Sequence, residues 1–469
     1  MHSFLICIIA LIASYFIYGK YIEKIASTDE SISTPVQRLE DSVDYTPLSK
    51  FRALLVHFLN IAGLGPIFGV IQGALFGPAA FLWITLGTIF IGATHDFFSG
   101  FMSLRNDGST MPAIISKYLG TTVRRFIAFV TIITGVLGAA VFSTGSAALI
   151  ANLTSTSTFI WTIIIFIYFI IATLLPIDKI IGKLYPVFGL LFIVMIILMT
   201  GGLLLNPAYH IPEFTTQGLY LTDKAIFPFL FVTIACGAIS GVHASQSPIV
   251  ARCIENEKDA RPVFFGAMVL EGITALCWAA IALAFFHGQP QLAAVYGATP
   301  SVAANEMATA LLGPIGVVLT IIGIVVCPIT SGDTALRSSR ITIADELNLD
   351  QKKLLSRLKI TIPLFAAAFA LTFVDFTLVW RYVGWAQLII SSAVLLSATA
   401  YLIKKEKQYI ITLVPAIICI LITFGYILQA PEGLRLPSMI ANVISVIATA
   451  AVTIIFLKHT YQRNSSTTY

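Results

Sequence analysis

Apolar segments long enough to cross a lipid bilayer recur along almost the whole chain. About 20 apolar residues are needed to span ~30 Å of hydrocarbon. With 57% hydrophobic and only 11% charged residues, the chain cannot cover a water-soluble surface. We therefore predict an all-α polytopic membrane protein that does not bind nucleic acid. The thirteen candidate segments are residues 2–20, 51–75, 78–101, 125–150, 157–176, 179–205, 225–247, 262–287, 311–330, 358–375, 379–402, 409–428 and 438–457.

Lysine and arginine are sorted sharply if these segments cross the membrane in alternate directions. Of the 28 such residues, 25 fall on one side. The other side carries Lys224, Arg381 and Arg435. By the positive-inside rule the rich side faces the cytoplasm. The pattern predicts an external N-terminus and a cytoplasmic C-terminus.

Two of the segments are interrupted by glycine and proline near their middle. Residues 63–66 read Gly-Leu-Gly-Pro, and residues 237–241 read Gly-Ala-Ile-Ser-Gly. Such residues favour an unwound stretch whose backbone groups need a partner in lipid. The alternative interpretation is close helix packing, since glycine is common where membrane helices touch.

The positions of the two interruptions indicate an internal repeat. Each opens a block of five segments, and the blocks start on opposite sides of the membrane, which is typical of inverted-repeat transporters. We predict a peripheral helix and cytoplasmic loop over 1–50 and a first repeat over 51–205. A second repeat follows over 206–402, and two peripheral helices with a cytoplasmic tail occupy 403–469.

The two interruptions are also the predicted substrate site. A broken helix presents unpaired N–H groups, equivalent to about half a positive charge, where water is scarce. Glycine allows a ligand to approach the backbone, and nearby polar side chains add hydrogen-bond donors. The predicted substrate-binding residues are Asn60, Gly63, Gly65, Pro66, Ser240, Gly241, His243 and Gln246.

Few ionisable residues lie inside the apolar segments. Because such residues are unfavourable in a membrane, each is a candidate functional residue. His95, Asp96, Glu271 and Arg337 are predicted as supporting polar residues. Asp96 could instead form an ion pair with Arg105. Glu271 could be neutral and bonded to a hydroxyl, or could carry a proton.

Two further readings concern histidines. His57 is interpreted as a packing histidine. His95, Asp96, His243 and Asp333 could converge on a metal, but no local ligand spacing supports this. We therefore expect neither a metal nor a cofactor.

Several of these segments together resemble the carbon starvation protein A (CstA) family of bacterial membrane proteins. The chain is similar to a short member without the long insertions of the larger forms, and His95 stands where those forms have glutamine. The matching stretches are residues 63–67, 95–100, 240–244, 246–253, 266–272 and 330–337.

The resemblance implies a LeuT-like fold of the amino acid–polyamine–organocation superfamily, in the bacterial inner membrane. It also implies import of peptides, or in some members pyruvate, when carbon is scarce. In that fold a cation often sits between the first broken helix and the third helix of the second repeat. The implied ion-coupling residues are Ala62, Thr330, Ser331 and Asp333.

From the sequence we therefore expect a secondary active transporter rather than an enzyme. It would import small carboxylate-bearing nutrients, either peptides or pyruvate-like acids, and use H⁺ or Na⁺ as the coupling ion. Its partners would be that small-molecule substrate and the lipid bilayer. Two alternatives stay open: a membrane-embedded metal-dependent enzyme, and a nutrient sensor with a transporter-like body.

Overall fold

The chain folds almost entirely into helices. The computed structural model describes residues 1–41, 44–174, 177–215, 224–296, 300–349, 351 and 353–465. Within those ranges the only β pairing is an isolated bridge between Leu48 and Ile254. The principal helices are α1 (His2–Ala26), α2 (Lys50–Ile61), α3 (Gly65–Ala74), α4 (Ala79–Leu104), α5 (Met111–Leu119), α6 (Thr121–Thr154), α7 (Thr158–Leu174), α8 (Ile177–Leu205), α9 (Ile226–Thr233), α10 (His243–Ala251), α11 (Glu257–Phe285), α12 (Gln289–Tyr296), α13 (Pro300–Thr320), α14 (Val326–Leu347), α15 (Leu354–Leu371), α16 (Phe376–Lys404), α17 (Ile410–Gln429) and α18 (Ser438–Ser465).

The helices confirm the prediction of an all-α polytopic membrane protein. In the described part of the chain, eight helices are long and apolar enough to cross a membrane, and ten if each of two bent pairs is one span. The count of thirteen spans, the inverted repeat and the four predicted regions stay predictions.

Both predicted interruptions are breaks in helices. The first separates α2 from α3, whose axes differ by 55°. Pro66 lies in the first turn of α3, where its missing N–H costs no hydrogen bond. We call α2 and α3 together the first broken helix.

The second broken helix consists of α9, a single turn at Ala235–Ala238, and α10. The axis changes direction by 63° after α9. Ser240 has a positive φ of 45° in the irregular stretch before α10, a conformation that non-glycine residues rarely adopt. The two broken helices contact each other at their breaks, where a Cβ added to Gly237 would lie 3.1 Å from the Gly65 carbonyl oxygen.

One predicted connection is wrong in its first part. The predicted segments 311–330 and 358–375 leave residues 331–357 as a polar connection between them, but α14 continues as helix to Leu347. Its polar residues are buried against neighbouring helices instead of lying in water, and Arg340 is only 1% exposed. Composition alone therefore did not distinguish a polar loop from a helix with buried polar residues.

Ion pairs connect helix ends on both faces of the protein. Arg105 pairs with Glu257 at 2.5 Å, and Arg261 pairs with Glu23 at 2.7 Å. All four residues belong to the face assigned to the cytoplasm. On the opposite face, Arg381 Nε lies 2.9 Å from Glu432 Oε1.

Candidate functional site

A set of polar side chains, all fully buried, connects the two broken helices with α4 and α11. It consists of His57 on α2, Asp96 and Ser99 on α4, His243 and Ser247 on α10, and Glu271 on α11. We call these six residues the His–carboxylate network.

Asp96 is the most heavily bonded member of the network. His57 Nε2 lies 2.8 Å from Asp96 Oδ2, and Ser247 Oγ donates to Asp96 Oδ1 at 2.6 Å. Ser99 Oγ in turn donates to Ser247 Oγ at 2.7 Å. The Asp96 carboxylate thus has a partner on each broken helix, which makes it a connection between the two.

Glu271 is held more loosely than Asp96. His243 Nε2 lies 3.0 Å from Glu271 Oε2, and His243 Nδ1 lies 3.5 Å from Asp96 Oδ2. These are ion-pair distances, but the directions are not those of good hydrogen bonds. His243 therefore lies between two buried carboxylates, and Glu271 has no other close partner among the described residues.

The predicted substrate-site glycines face neighbouring protein atoms at close range and do not border an open cavity. A Cβ on Gly65 would lie 2.6 Å from the Cys236 carbonyl oxygen, and one on Gly241 would lie 1.9 Å from the Gln387 carbonyl oxygen. A Cβ on Gly63 would lie 2.9 Å from Ser331 Oγ. In this conformation the glycines allow close helix packing, so the breaks touch each other directly. Pro66 is part of the same contact, since a Cβ on Gly237 would lie 3.2 Å from its Cα.

Other predicted substrate-site residues carry buried polar atoms without hydrogen bonds. Both amide atoms of Asn60 and Oε1 of Gln246 lack a partner. Gln246 Nε2 donates to Ser245 Oγ at 3.1 Å. Ser240 is buried at the break. Such atoms are costly to bury unless something satisfies them part of the time.

Two residues on α16 extend this set and were not predicted. Gln387 Nε2 donates to Cys236 Sγ at 3.3 Å, beside the second break. Its Oε1 and the hydroxyl of Ser391, one helical turn later, are buried without hydrogen bonds. No local motif marks these two residues in the sequence.

The predicted ion-coupling residues lie on the other side of the first broken helix. Ser331 Oγ donates to the carbonyl oxygen of Leu59 at 3.4 Å, and Cys327 Sγ donates to that of Ala62 at 2.5 Å. Thr330 Oγ1 donates to the Cys327 carbonyl at 2.7 Å. We call Leu59, Ala62, Cys327, Thr330 and Ser331 the hydroxyl–carbonyl cluster.

Asp333 and Arg337, both on α14, bind residues outside that helix. Tyr185 donates its hydroxyl to Asp333 Oδ2 at 3.1 Å. Arg337 Nη2 donates to the Ala172 carbonyl at 2.7 Å, and Nη1 lies 3.7 Å from Asp44. Both residues therefore bind helices and loops around α14.

Three interpretations of single residues need correction. His57 is a partner of Asp96 and not merely a packing residue. Arg105 pairs with Glu257 instead of Asp96. Glu271 contacts a histidine and not a hydroxyl. His95, next to Asp96, is buried with both ring nitrogens unbonded, so it does not join the network.

The described residues contain no group of three or more histidine, cysteine, aspartate or glutamate side chains that could hold a metal ion. The hypothetical convergence of His95, Asp96, His243 and Asp333 is not seen in this part of the chain: Asp96 and His243 lie near each other, but Asp333 accepts a hydrogen bond from Tyr185 instead.

Comparisons with known proteins give consistent results. The profile of the family described as carbon starvation protein CstA matches residues 1–155 and 127–375. An uncharacterized membrane protein of Haemophilus influenzae is 40% identical over 62% of this chain and 92% of its own length. The Peptide transporter CstA of Bacillus subtilis is 30% identical over 58% of this chain and 56% of its own.

A third relative is the Pyruvate/proton symporter BtsT of Escherichia coli, 28% identical over 56% of this chain and 46% of its own length. The chain thus spans about half the length of the Bacillus subtilis and Escherichia coli relatives.

Solved structures share the fold at low sequence identity. MhsT in complex with L-phenylalanine superposes with a TM-score of 0.58 at 13% identity, covering 88% of this chain and 99% of that one. A manganese transporter of Eremococcus coleocola gives 0.55 at 13% identity, covering 91% and 99%. The architecture is therefore that of LeuT-fold transporters.

Proposed function

Since this chain belongs to the carbon starvation protein CstA family, we propose that it is a secondary active transporter coupled to protons. It imports small carboxylate-bearing nutrients, pyruvate-like acids or short peptides, across the bacterial inner membrane. The His–carboxylate network is the observation that carries this proposal. The Escherichia coli relative, which is named a pyruvate/proton symporter, supports it.

The proton is held between His243 and Glu271. A buried charge without a partner is strongly unfavourable, whereas a paired one is tolerated. Asp96 keeps its two partners, His57 and Ser247, at 2.8 and 2.6 Å. Glu271 has only the weakly directed contact with His243, so a proton gained or lost by this pair changes the balance of the network most.

The second broken helix couples that proton to a movement. His243 is the first residue of α10 and follows the strained Ser240 by three positions. A change in its pairing therefore acts directly on the irregular backbone at the break. Movement of this backbone away from the first broken helix separates Gly65 from Cys236 and opens a gap between the breaks.

That gap is the substrate site. Asn60, Gln246, Gln387 and Ser391 each hold buried polar atoms without hydrogen bonds beside the breaks. A carboxylate and an adjacent carbonyl or amide of the substrate satisfy such groups once the gap is open. The N–H groups at the start of α3 and α10 add positive potential for an anion.

Chain orientation follows the charge pattern. The N-terminus lies outside, the C-terminus lies in the cytoplasm, and the thirteen spans include two inverted five-helix repeats. Single cysteines in place of Gln217, which lies outside the described residues, and of Gln351 should react with a membrane-impermeant thiol reagent from opposite sides. Labelling of both from outside would reject this topology.

Uptake into proteoliposomes tests the function directly. Purified protein is reconstituted without any sodium gradient, and labelled pyruvate and a labelled dipeptide are offered under an inward proton gradient. We expect accumulation of at least one of them above its external concentration. Turnover of substrate without accumulation would favour the metal-dependent enzyme, and binding without either would favour the sensor.

A further inference from the structure

A cavity with both polar and apolar walls opens at the face that the charge pattern assigns to the outside. It has a volume of about 120 Å³, enough for several water molecules. Its lining includes Gln72, Lys224, Thr377, Trp380, Arg381 and Tyr426, together with apolar side chains. Gln72 lies on α3, so the cavity adjoins the outer half of the first broken helix.

The cavity carries two basic residues on a face that has few of them. That face carries only three of the 28 lysine and arginine residues in the predicted topology, and Lys224 and Arg381 both line the same cavity. Desolvation by neighbouring groups and the nearby Arg381 guanidinium lower the pKa of Lys224. The two cations therefore act on one small volume.

Glu432 positions the Arg381 guanidinium but does not bind all of its N–H donors. Its Nε lies 2.9 Å from Glu432 Oε1, and Tyr426 donates its hydroxyl to the same carboxylate oxygen. A guanidinium has five N–H donors in a fixed fork, so further donors remain for a ligand. With Lys224 included, these three charged groups sum to one positive charge.

Gln72 gives an independent sign that a ligand enters. Its side chain lines the cavity, is 9% exposed, and leaves Nε2 without a hydrogen bond. A buried amide N–H₂ is unfavourable unless an acceptor reaches it. An acceptor oxygen between Gln72, Lys224 and Arg381 satisfies the amide and balances the charge.

We propose that this cavity is an outer binding site for a small monocarboxylate anion, occupied before the anion passes between the broken helices. The inference rests on the proposed import of carboxylates and adds a first selection step to it. Two cations and an amide donor recognise the carboxylate, while Trp380 and the apolar wall exclude bulkier groups.

Thiol protection measures binding at this site without requiring transport. Thr377 lines the cavity and is exposed, so Thr377→Cys gives a reporter for a membrane-impermeant thiol reagent. We expect pyruvate to slow its modification, and Lys224→Gln or Arg381→Gln to raise the protecting concentration at least about fivefold. Arg435→Gln, which removes the third outer cation away from the cavity, is the matched control and should change nothing.

Each result decides the proposal. The proposal would be overturned if the same pyruvate concentration protected the thiol in Lys224→Gln, Arg381→Gln and Arg435→Gln. Protection by a dipeptide but not by pyruvate would also overturn it. Because Arg381→Gln leaves Glu432 without its cationic partner, the double variant Arg381→Gln/Glu432→Gln must reproduce the loss of protection. If pyruvate protects the introduced thiol of the Thr377→Cys protein but is not taken up, import fails while the outer anion site stands.

Discussion

The two sides of the first broken helix are built from different chemistry. The His–carboxylate network meets it at His57 and contains four ionisable side chains that pair across four helices. The hydroxyl–carbonyl cluster meets it at Leu59 and Ala62 and contains only hydroxyls, a thiol and backbone oxygens. Oxygen ligands without a proton to exchange suit a hard cation, whereas paired histidines and carboxylates suit a proton.

This difference makes the His–carboxylate network the better candidate for the coupling site. The resemblance drew attention to the hydroxyl–carbonyl cluster, but the cluster's donors already bind carbonyls on the same or the adjacent helix. The His–carboxylate network instead places a loosely held carboxylate, Glu271, against a histidine of the second broken helix. The following changes separate the two regions, in order of decreasing effect.

Glu271→Gln should have the largest effect on accumulation. With one proton per monoanion, a pH difference of one unit supports about tenfold accumulation, since RT ln 10 is about 1.4 kcal/mol. Glutamine keeps the size of the side chain but cannot exchange a proton, so the accumulation ratio should fall to about one. Uptake of labelled pyruvate under a fixed proton gradient measures this.

The matched control for that change is Glu306→Gln. Glu306 is exposed on α13, outside the His–carboxylate network, and its replacement should leave accumulation at the wild-type value. Full accumulation by Glu271→Gln would remove this residue from the coupling mechanism.

Gly65→Ala should destabilise the closed contact between the breaks. The added Cβ would lie 2.6 Å from the Cys236 carbonyl oxygen, and overpacking of this kind costs about 1–3 kcal/mol. The thermal unfolding temperature in detergent should fall. Gly201→Ala is the control, because no atom lies within 4 Å of its added Cβ. Equal unfolding temperatures for the two variants would show that the breaks are apart in solution.

Ser247→Ala should have a moderate effect. It removes the 2.6 Å hydrogen bond to Asp96 and leaves a buried carboxylate less satisfied, at a cost of about 1–3 kcal/mol. We expect a lower unfolding temperature and slower proton-driven uptake. Ser99→Ala, which removes the hydrogen bonds to Ser247 Oγ and to the Asp96 carbonyl but none to the carboxylate, should cost less. The reverse ranking would contradict the central place given to Asp96.

Ser331→Ala should have the smallest effect on coupling. Its hydroxyl shares carbonyl partners at 3.1 and 3.4 Å, and a proton-coupled carrier does not need it to bind an ion. Uptake should stay within about twofold of the wild type and should not respond to sodium. A sodium-stimulated wild type that loses this response in Ser331→Ala would move the coupling site to the hydroxyl–carbonyl cluster.

The breaks could be predicted from sequence because their cause is local. Glycine and proline within an apolar segment disturb the helix wherever it packs, so residues 63–66 were identified correctly. What the glycines touch depends on the opposite helix. Gly65 meets Cys236 and Gly241 meets Gln387, and nothing in either segment specifies those neighbours.

The partners of the buried charges could not be predicted for the same reason. Asp96 had Arg105 nearby in the sequence, but α4 turns its carboxylate towards His57 on another helix. Pairing across helices depends on how they pack, and neither His57 nor Ser247 stands in a motif with Asp96. The site predicted from the sequence therefore contained Asp96, His243 and Glu271 but lacked the connections that His57 and Ser247 make between Asp96 and the two broken helices.

Uptake measured in the absence of sodium is the most direct test of coupling to protons. Proteoliposomes with the membrane potential clamped at zero are given labelled pyruvate at several imposed pH differences. We predict an accumulation ratio that rises about tenfold per pH unit, with one proton entering per pyruvate and no dependence on sodium. Accumulation that ignores the pH difference and follows a sodium gradient would contradict it.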